Sequence, residues 1–235
     1  MGIYNEYSDC FSFAMNRMFT PLVLALSGFA CSTAPAAVID LFRDGPQELT
    51  SPGSGGAWQS ASAVALTDSI FDSRGMRTQY GAQNLRVNTT AGTLLYDVVP
   101  DGAGSNDWGY FELIYSSSTP VNLLADGATS FEARFALLEF GSSFGPLQIS
   151  VKSSAGSAGV SGYFTSSSDK ILQFDFSRFS GVNFSAVTEI RFGGFRIPEG
   201  STLVLDSLQT VPEPSIPLVS ALSAAMLLGW RRRDI

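Results

Sequence analysis

Between Ala37 and Thr210 no stretch of twelve or more residues carries a 3.6-residue apolar period, which rules out a helical core. In its place stand short apolar or alternating runs, interrupted every eight to twelve residues by Gly, Ser, Asp and Asn. The pattern predicts strands over 37–42, 57–66, 84–89, 92–99, 110–116, 130–140, 147–153, 159–165, 171–177, 188–197 and 201–208. In ILQFDF, Leu172, Phe174 and Phe176 share one strand face and Ile171, Gln173 and Asp175 the other, so the phenylalanine face is expected in the core. SFEARFAL likewise sets Phe131, Ala133 and Phe135 against Glu132, Arg134 and Ala136. Most of the 18 phenylalanines are therefore assigned to packing. Many short strands, polar turns and no internal repeat describe an all-β chain, an antiparallel β-sandwich rather than a propeller or solenoid.

Charge and missing residue types narrow the chemistry. The net charge is -7, and only ten Lys and Arg lie between Val38 and Thr210, so no basic face is available for nucleic acid or a comparable polyanion. Histidine is absent from the whole chain, which removes Ser-His-Asp and Cys-His nucleophiles and every His-ligated metal. The only cysteines are Cys10 and Cys31. Gly28 and Phe29 depart from the pattern that would make Cys31 a lipidation site.

Both ends carry targeting features. Arg17, the apolar stretch from Met18 to Ala30, and Ala34-Pro35-Ala36 compose a signal peptide over 1–36, with cleavage expected near Ala36 or Ala37. Residues 1–14 hold Glu6 and Asp9 but no basic residue, which is the wrong charge for a signal's front and makes Met15 the expected start. Thirteen apolar residues reach about 20 Å, short of a bilayer core of about 30 Å, which favours a cleaved signal over an anchor. At the other end, Pro212, Pro214 and Pro217 force an extended entry to an uncharged run over 216–230, closed by Arg231, Arg232 and Arg233. That run is expected to form a transmembrane helix, with Trp230 at the interface and the arginines on the cytoplasmic side. The β-sandwich domain then spans 37–210 and the tail 211–235.

The tail resembles the PEP-CTERM sorting signal: a Pro212-Glu213-Pro214 motif, one transmembrane helix and a basic cluster, in that order. The resemblance implies recognition by an exosortase, an integral-membrane enzyme of Gram-negative bacteria that make extracellular polysaccharide, and cleavage near the motif. It implies an inner-membrane intermediate, then release to the cell surface or biofilm matrix. The middle section is similar to jelly-roll domains of PEP-CTERM proteins in its Ile39-Asp40-Leu41-Phe42 opening and its Leu203–Leu208 closing strand, and also in Asp72–Arg77 and Phe179–Ser185. That likeness implies a domain able to bind exopolysaccharide. It also implies a structural Ca²⁺ held by Asp206, with Asp40 on the paired first strand.

Among residues read directly, Trp58, Trp108 and Tyr110 lie beside Gly-rich turns and are the candidates for stacking on a pyranose. The stretch from Asp101 to Glu112 has EF-hand length, but Ala103 and Asn106 break the ligand pattern, so it reads as a hairpin loop. GSGG at 53–56 is loop material with no strand-to-helix turn behind it. A glycosidase would need two facing carboxylates; Glu112, Glu132, Glu139, Glu189 and Asp175 are available, but no motif selects a pair. The expectation is a non-enzymatic exported protein with no obligatory cofactor, the alternatives being a structural protein held at the membrane by an uncleaved tail and a carboxylate-dependent polysaccharide-active enzyme.

Overall fold

The computed structural model describes residues 36–52, 57–100, 108–142 and 144–212. Ala34, the 216–230 run, Glu213, Pro214, Arg231, Arg232 and Arg233 lie outside the described residues. Among those described, no helix is long and apolar enough to cross a membrane.

Alternation of side chains builds the strands. In β5 (Ala82–Asn88) Gln83, Leu85 and Val87 are buried, in β6 (Thr93–Val99) Leu94, Tyr96 and Val98, and in β7 (Trp108–Val121) Phe111, Leu113 and Tyr115. The remaining strands are β1 (Val38–Asp40), β2 (Gln47–Pro52), β3 (Gln59–Ala65), β4 (Ser73–Gln79), β8 (Ala128–Glu139) and β9 (Gly145–Ser153). They continue with β10 (Ser157–Phe164), β11 (Ser167–Asp175), β12 (Val187–Pro198) and β13 (Thr202–Pro212). One 3₁₀ turn, Phe176–Arg178, is the only helical element among the described residues.

All pairings are antiparallel, in two sheets. One runs β11-β8-β13-β6-β5-β2, with β1 also pairing with β13; the other runs β10-β9-β12-β7-β4-β3. The chain passes repeatedly from sheet to sheet, in jelly-roll fashion, and aromatic pairs join the inner faces. Tyr96 meets Phe111 at 4.3 Å between ring centroids, and Phe135 meets Phe192 at 6.2 Å. Near one end of the sandwich Phe131, Phe176, Phe179 and Phe184 pack together, with Phe176 stacked on Phe184 at 4.0 Å. As the alternation predicts, Phe131, Phe135, Leu172, Phe174 and Phe176 are buried. The described residues contain no cysteine, so burial carries the fold, each large apolar side chain contributing about 1.5–3 kcal/mol.

Two strands, β2 and β4, are absent from the sequence expectation, because their inward residues are polar. Gln47 and Ser51 point inward from β2, and Arg74 and Thr78 flank Met76 on the buried face of β4. Arg74, with no exposed surface, donates to Asp40 Oδ2 at 2.7 Å, Gln47 Oε1 at 2.8 Å, and the carbonyls of Asp44 and Gly45 at 2.8 and 3.1 Å. A guanidinium that makes four hydrogen bonds thus occupies a core position that an apolar pattern cannot reveal. A second difference concerns 101–112. The described part, from Trp108 on, is not a loop but the start of the longest strand, β7.

Candidate functional site

Strand β7 turns Trp108, Tyr110 and Glu112 to the outside of the six-stranded sheet, because Gly109, Phe111 and Leu113 take the inward positions. On β4, Gln79 lies opposite Tyr110 and Arg77 opposite Glu112. Trp58, immediately before β3, meets Tyr110 edge-on at 6.4 Å, and Trp108 meets Tyr110 at 4.9 Å. The structure therefore brings the three sequence candidates into one cluster.

Further rings extend it. Tyr80 lies 4.5 Å from Trp108 and 5.5 Å from Tyr110, and Phe195 lies 6.4 Å from Tyr110. Beyond Phe195 stand Phe144 and Tyr163, 52% and 68% exposed, the two most exposed large apolar side chains among the described residues. They meet edge to face at 5.5 Å and share a depression of about 460 Å³ with Tyr110, Phe195 and Arg196.

The backbone around Trp108 is held in uncommon conformations. Tyr80 has φ 62° and Gly81 φ 42°, forming the tight turn that carries the chain from β4 into β5 in the other sheet. A side chain at Gly81 would crowd the Trp108 carbonyl at 3.0 Å. Buried Gln83 braces this turn, donating to the carbonyls of Gln79 (2.7 Å) and Tyr80 while its Oε1 accepts from the Tyr96 hydroxyl at 2.6 Å. On the other side of Trp108, β12 carries one extra residue. Gly194 pairs with Phe111 and Ile197 with Gly109, and within that bulge Arg196 has φ 52°. The Arg196 guanidinium stands 5.8 Å from the Trp108 ring centroid.

Charges flank the rings. Arg77 lies over Trp58 at 4.1 Å and donates through Nε to Glu112 Oε2 at 2.5 Å. Arg191 donates to Glu189 at 2.7 Å and reaches Glu112 at 3.7 Å. The Glu189 hydrogen bond raises the Arg191 pKa against the opposing effect of burial. Of the five sequence-flagged carboxylates, Glu132 and Glu139 sit on β8 and Asp175 on β11, all in the other sheet. Glu112 and Glu189 come together, but with an arginine between them that holds both as ion-pair acceptors.

Asp40 and Asp206, the residues the family likeness assigns to a structural Ca²⁺, have different surroundings. Asp40 belongs to the buried side, where Oδ2 takes Arg74 and Oδ1 accepts the Phe42 N–H at 2.6 Å. Burial raises its pKa, with Arg74 and the Phe42 N–H opposing. Asp206 is only partly buried and lies by Arg134 and Asp169; burial raises its carboxyl pKa, Arg134 opposes and Asp169 adds to the rise. Among the described residues no group of three or more acidic or thiol side chains is arranged to hold a metal.

Tyr80, Arg77, Phe195, Arg196, Phe144 and Tyr163 escaped sequence reading. Two local signals pointed toward them: Tyr80-Gly81 at a turn, and Gly193-Gly194 inside a strand, where paired glycines mark a bulge.

No protein-family model matches the chain, and no curated protein matches it in sequence. Solved structures similar to it include a family 11 carbohydrate-binding module from Clostridium thermocellum in complex with a β-1,3-1,4-mixed-linked tetrasaccharide. It is 15% identical, covering 77% of this chain and 98% of that one, with a TM-score of 0.40. A solution structure of CtCBM11 is 13% identical over 80% of this chain and 100% of that one, with a TM-score of 0.42. A structure of carbohydrate-binding modules from the β-sandwich superfamily is 10% identical over 77% and 63%, with a TM-score of 0.35.

Proposed function

We propose that this chain is an exported, non-enzymatic β-sandwich that binds carbohydrate on the outer face of its six-stranded sheet and is sorted through its C-terminal tail. The observation that carries the binding reading is the cluster of Trp58, Tyr80, Trp108 and Tyr110 on one sheet face. Aromatic rings at a surface offer apolar faces to the C–H faces of a pyranose, while neighbouring polar groups take its hydroxyls. Trp58 keeps 39% of its surface exposed although Arg77 covers one ring face. Arg77, Glu112, Arg191 and Gln79 border the rings, supplying donors and acceptors at a fixed spacing along β4, β7 and β12. The ion pairs that Glu112 makes with Arg77 and Arg191 hold these three in place before a ligand arrives.

The test is calorimetric titration of the full chain, in a detergent free of sugar groups, against a panel of oligosaccharides. Trp58→Ala and Tyr110→Ala should each weaken binding about 10- to 100-fold, from the loss of one aromatic stacking surface. Binding unchanged in both variants would overturn the platform. The Pro-Glu-Pro motif, apolar run and basic end support the sorting reading. Under it, the mature protein's mass lacks the residues after about Ser215; recovery of a chain retaining Arg233 from the cell surface would refute it.

A further inference from the structure

Every other arginine bordering the aromatic cluster is neutralised, Arg77 by Glu112 and Arg191 by Glu189. Arg196 is not. It is exposed, and among the described residues no carboxylate pairs with it and no oxygen accepts from its guanidinium. Its guanidinium lies over the Trp108 ring, 5.8 Å from the ring centroid. A left-handed backbone on a long side chain is unfavourable, and here it occurs inside a β-bulge, a device that re-aims a side chain. Arg196 lines the same depression as Tyr110, Phe195, Phe144 and Tyr163.

Resting on the carbohydrate reading of this face, we infer that the platform selects an acidic glycan, with the carboxylate of a hexuronate unit held by Arg196. A guanidinium presents parallel N–H donors matched to a carboxylate's two oxygens, and that of Arg196 lies over the Trp108 ring at 5.8 Å from its centroid. The rings that line the depression with Arg196 accept the pyranose body. The chain's net charge of -7 disfavours a dense polyanion that needs many contacts, whereas one fixed cation in an aromatic depression takes one carboxylate. An acidic peptide offers the same anion but no apolar ring face for the aromatic walls to cover.

The test titrates the full chain, in sugar-free detergent, with a galacturonate tetrasaccharide, the neutral galactose tetrasaccharide of the same linkage, and a short polyglutamate. The galacturonate should bind about ten-fold tighter than the neutral sugar, the range of one charge-assisted hydrogen-bonded pair. Its affinity should fall with salt at a logarithmic slope of about one or less, the signature of a single ion pair. Arg196→Gln should reduce the galacturonate preference to about two-fold or less, and Arg196→Lys should retain part of it. Arg196→Gly, which also relieves the left-handed backbone, should lose the preference while folding at least as stably. A preference that survives Arg196→Gln and Arg196→Gly, or a wild type that binds both sugars equally through Tyr110, would overturn the inference and leave the platform standing. Binding to neither sugar would remove both. Polyglutamate bound as tightly as galacturonate and lost with Arg196 would show an anion patch without sugar recognition, and would also overturn it.

Discussion

Removing Asp40 should damage this protein far more than its place in a three-residue strand suggests. Asp40→Ala leaves Arg74, whose side chain has no exposed surface, without a counter-charge. Arginine does not shed its proton at any pH a protein survives, so the charge must stay buried or admit water. Breaking a buried pair from one side costs about 3–5 kcal/mol, about a fifth or more of the stability of an ordinary domain. Arg74→Met fails differently: it strands the Asp40 carboxylate, Gln47 Oε1 and the carbonyls of Asp44 and Gly45. Asp40 can respond by taking up a proton, since burial already raises its pKa. In that variant the folded state holds the proton more tightly than the unfolded state. Stability should therefore be best below about pH 4 and fall as pH rises through the folded-state pKa. The double variant should cost less than the two single losses together, by about 1–3 kcal/mol, because neither charge is then left alone. Urea titration of the full chain followed by tryptophan fluorescence measures all three. A cost for Asp40→Ala below about 1 kcal/mol, or strict additivity in the double variant, would refute the buried-pair account. A wild-type midpoint that rises with Ca²⁺, with the rise lost on Asp40→Asn, would support a metal at this end of the sheet.

Phe131 lies at the meeting of Phe176, Phe179 and Phe184 with no exposed surface, so Phe131→Ala should cost about 3–5 kcal/mol in the same titration. At Gly109 an added methyl would overlap the Tyr96 hydroxyl and come within 2.8 Å of Gln83 Cδ. Gly109→Ala should accordingly cost about 1–3 kcal/mol and, by displacing Trp108, weaken oligosaccharide binding as well. Burial keeps the Asp206 carboxyl above its ordinary range, with Asp169 adding to the rise and Arg134 opposing it. Its contribution to stability is then fully present below about pH 4 and lost as pH rises through the folded-state value. Asp206→Asn should raise the thermal midpoint at pH 7 and leave it unchanged at pH 3.

Alternation made most of the sandwich legible. In β11, Leu172 and Phe174 could only point one way if Gln173 and Asp175 were to remain in water, and the structure agrees. The same logic failed for β2 and β4, because it assumes that inward means apolar. Gln47, Arg74 and Thr78 violate that assumption, and Arg74 is tolerated inside only because Asp40, Gln47 and two carbonyls arrive from other segments to satisfy it. Such partners are tens of residues apart in the chain. For the candidate site, Trp58, Trp108 and Tyr110 were recognisable as large rings near turns, but their neighbours were not. Tyr80 joins them through a Tyr-Gly turn between sheets, and Phe195 and Arg196 through a bulge whose extra residue is visible only once β12 is paired with β7.

The amino-acid order alone determined the β class of this chain, the inward faces of its apolar strands, and the exclusion of histidine chemistry. These follow from a two-residue period and from which side chains exist, both of which are local properties. Only the folded chain decided that Asp40 would meet Arg74, and that six aromatic rings and the Arg196 side chain would gather around Tyr110. Strand order and register set those meetings, and they depend on which distant segments share hydrogen bonds, a matter no short stretch of residues can specify.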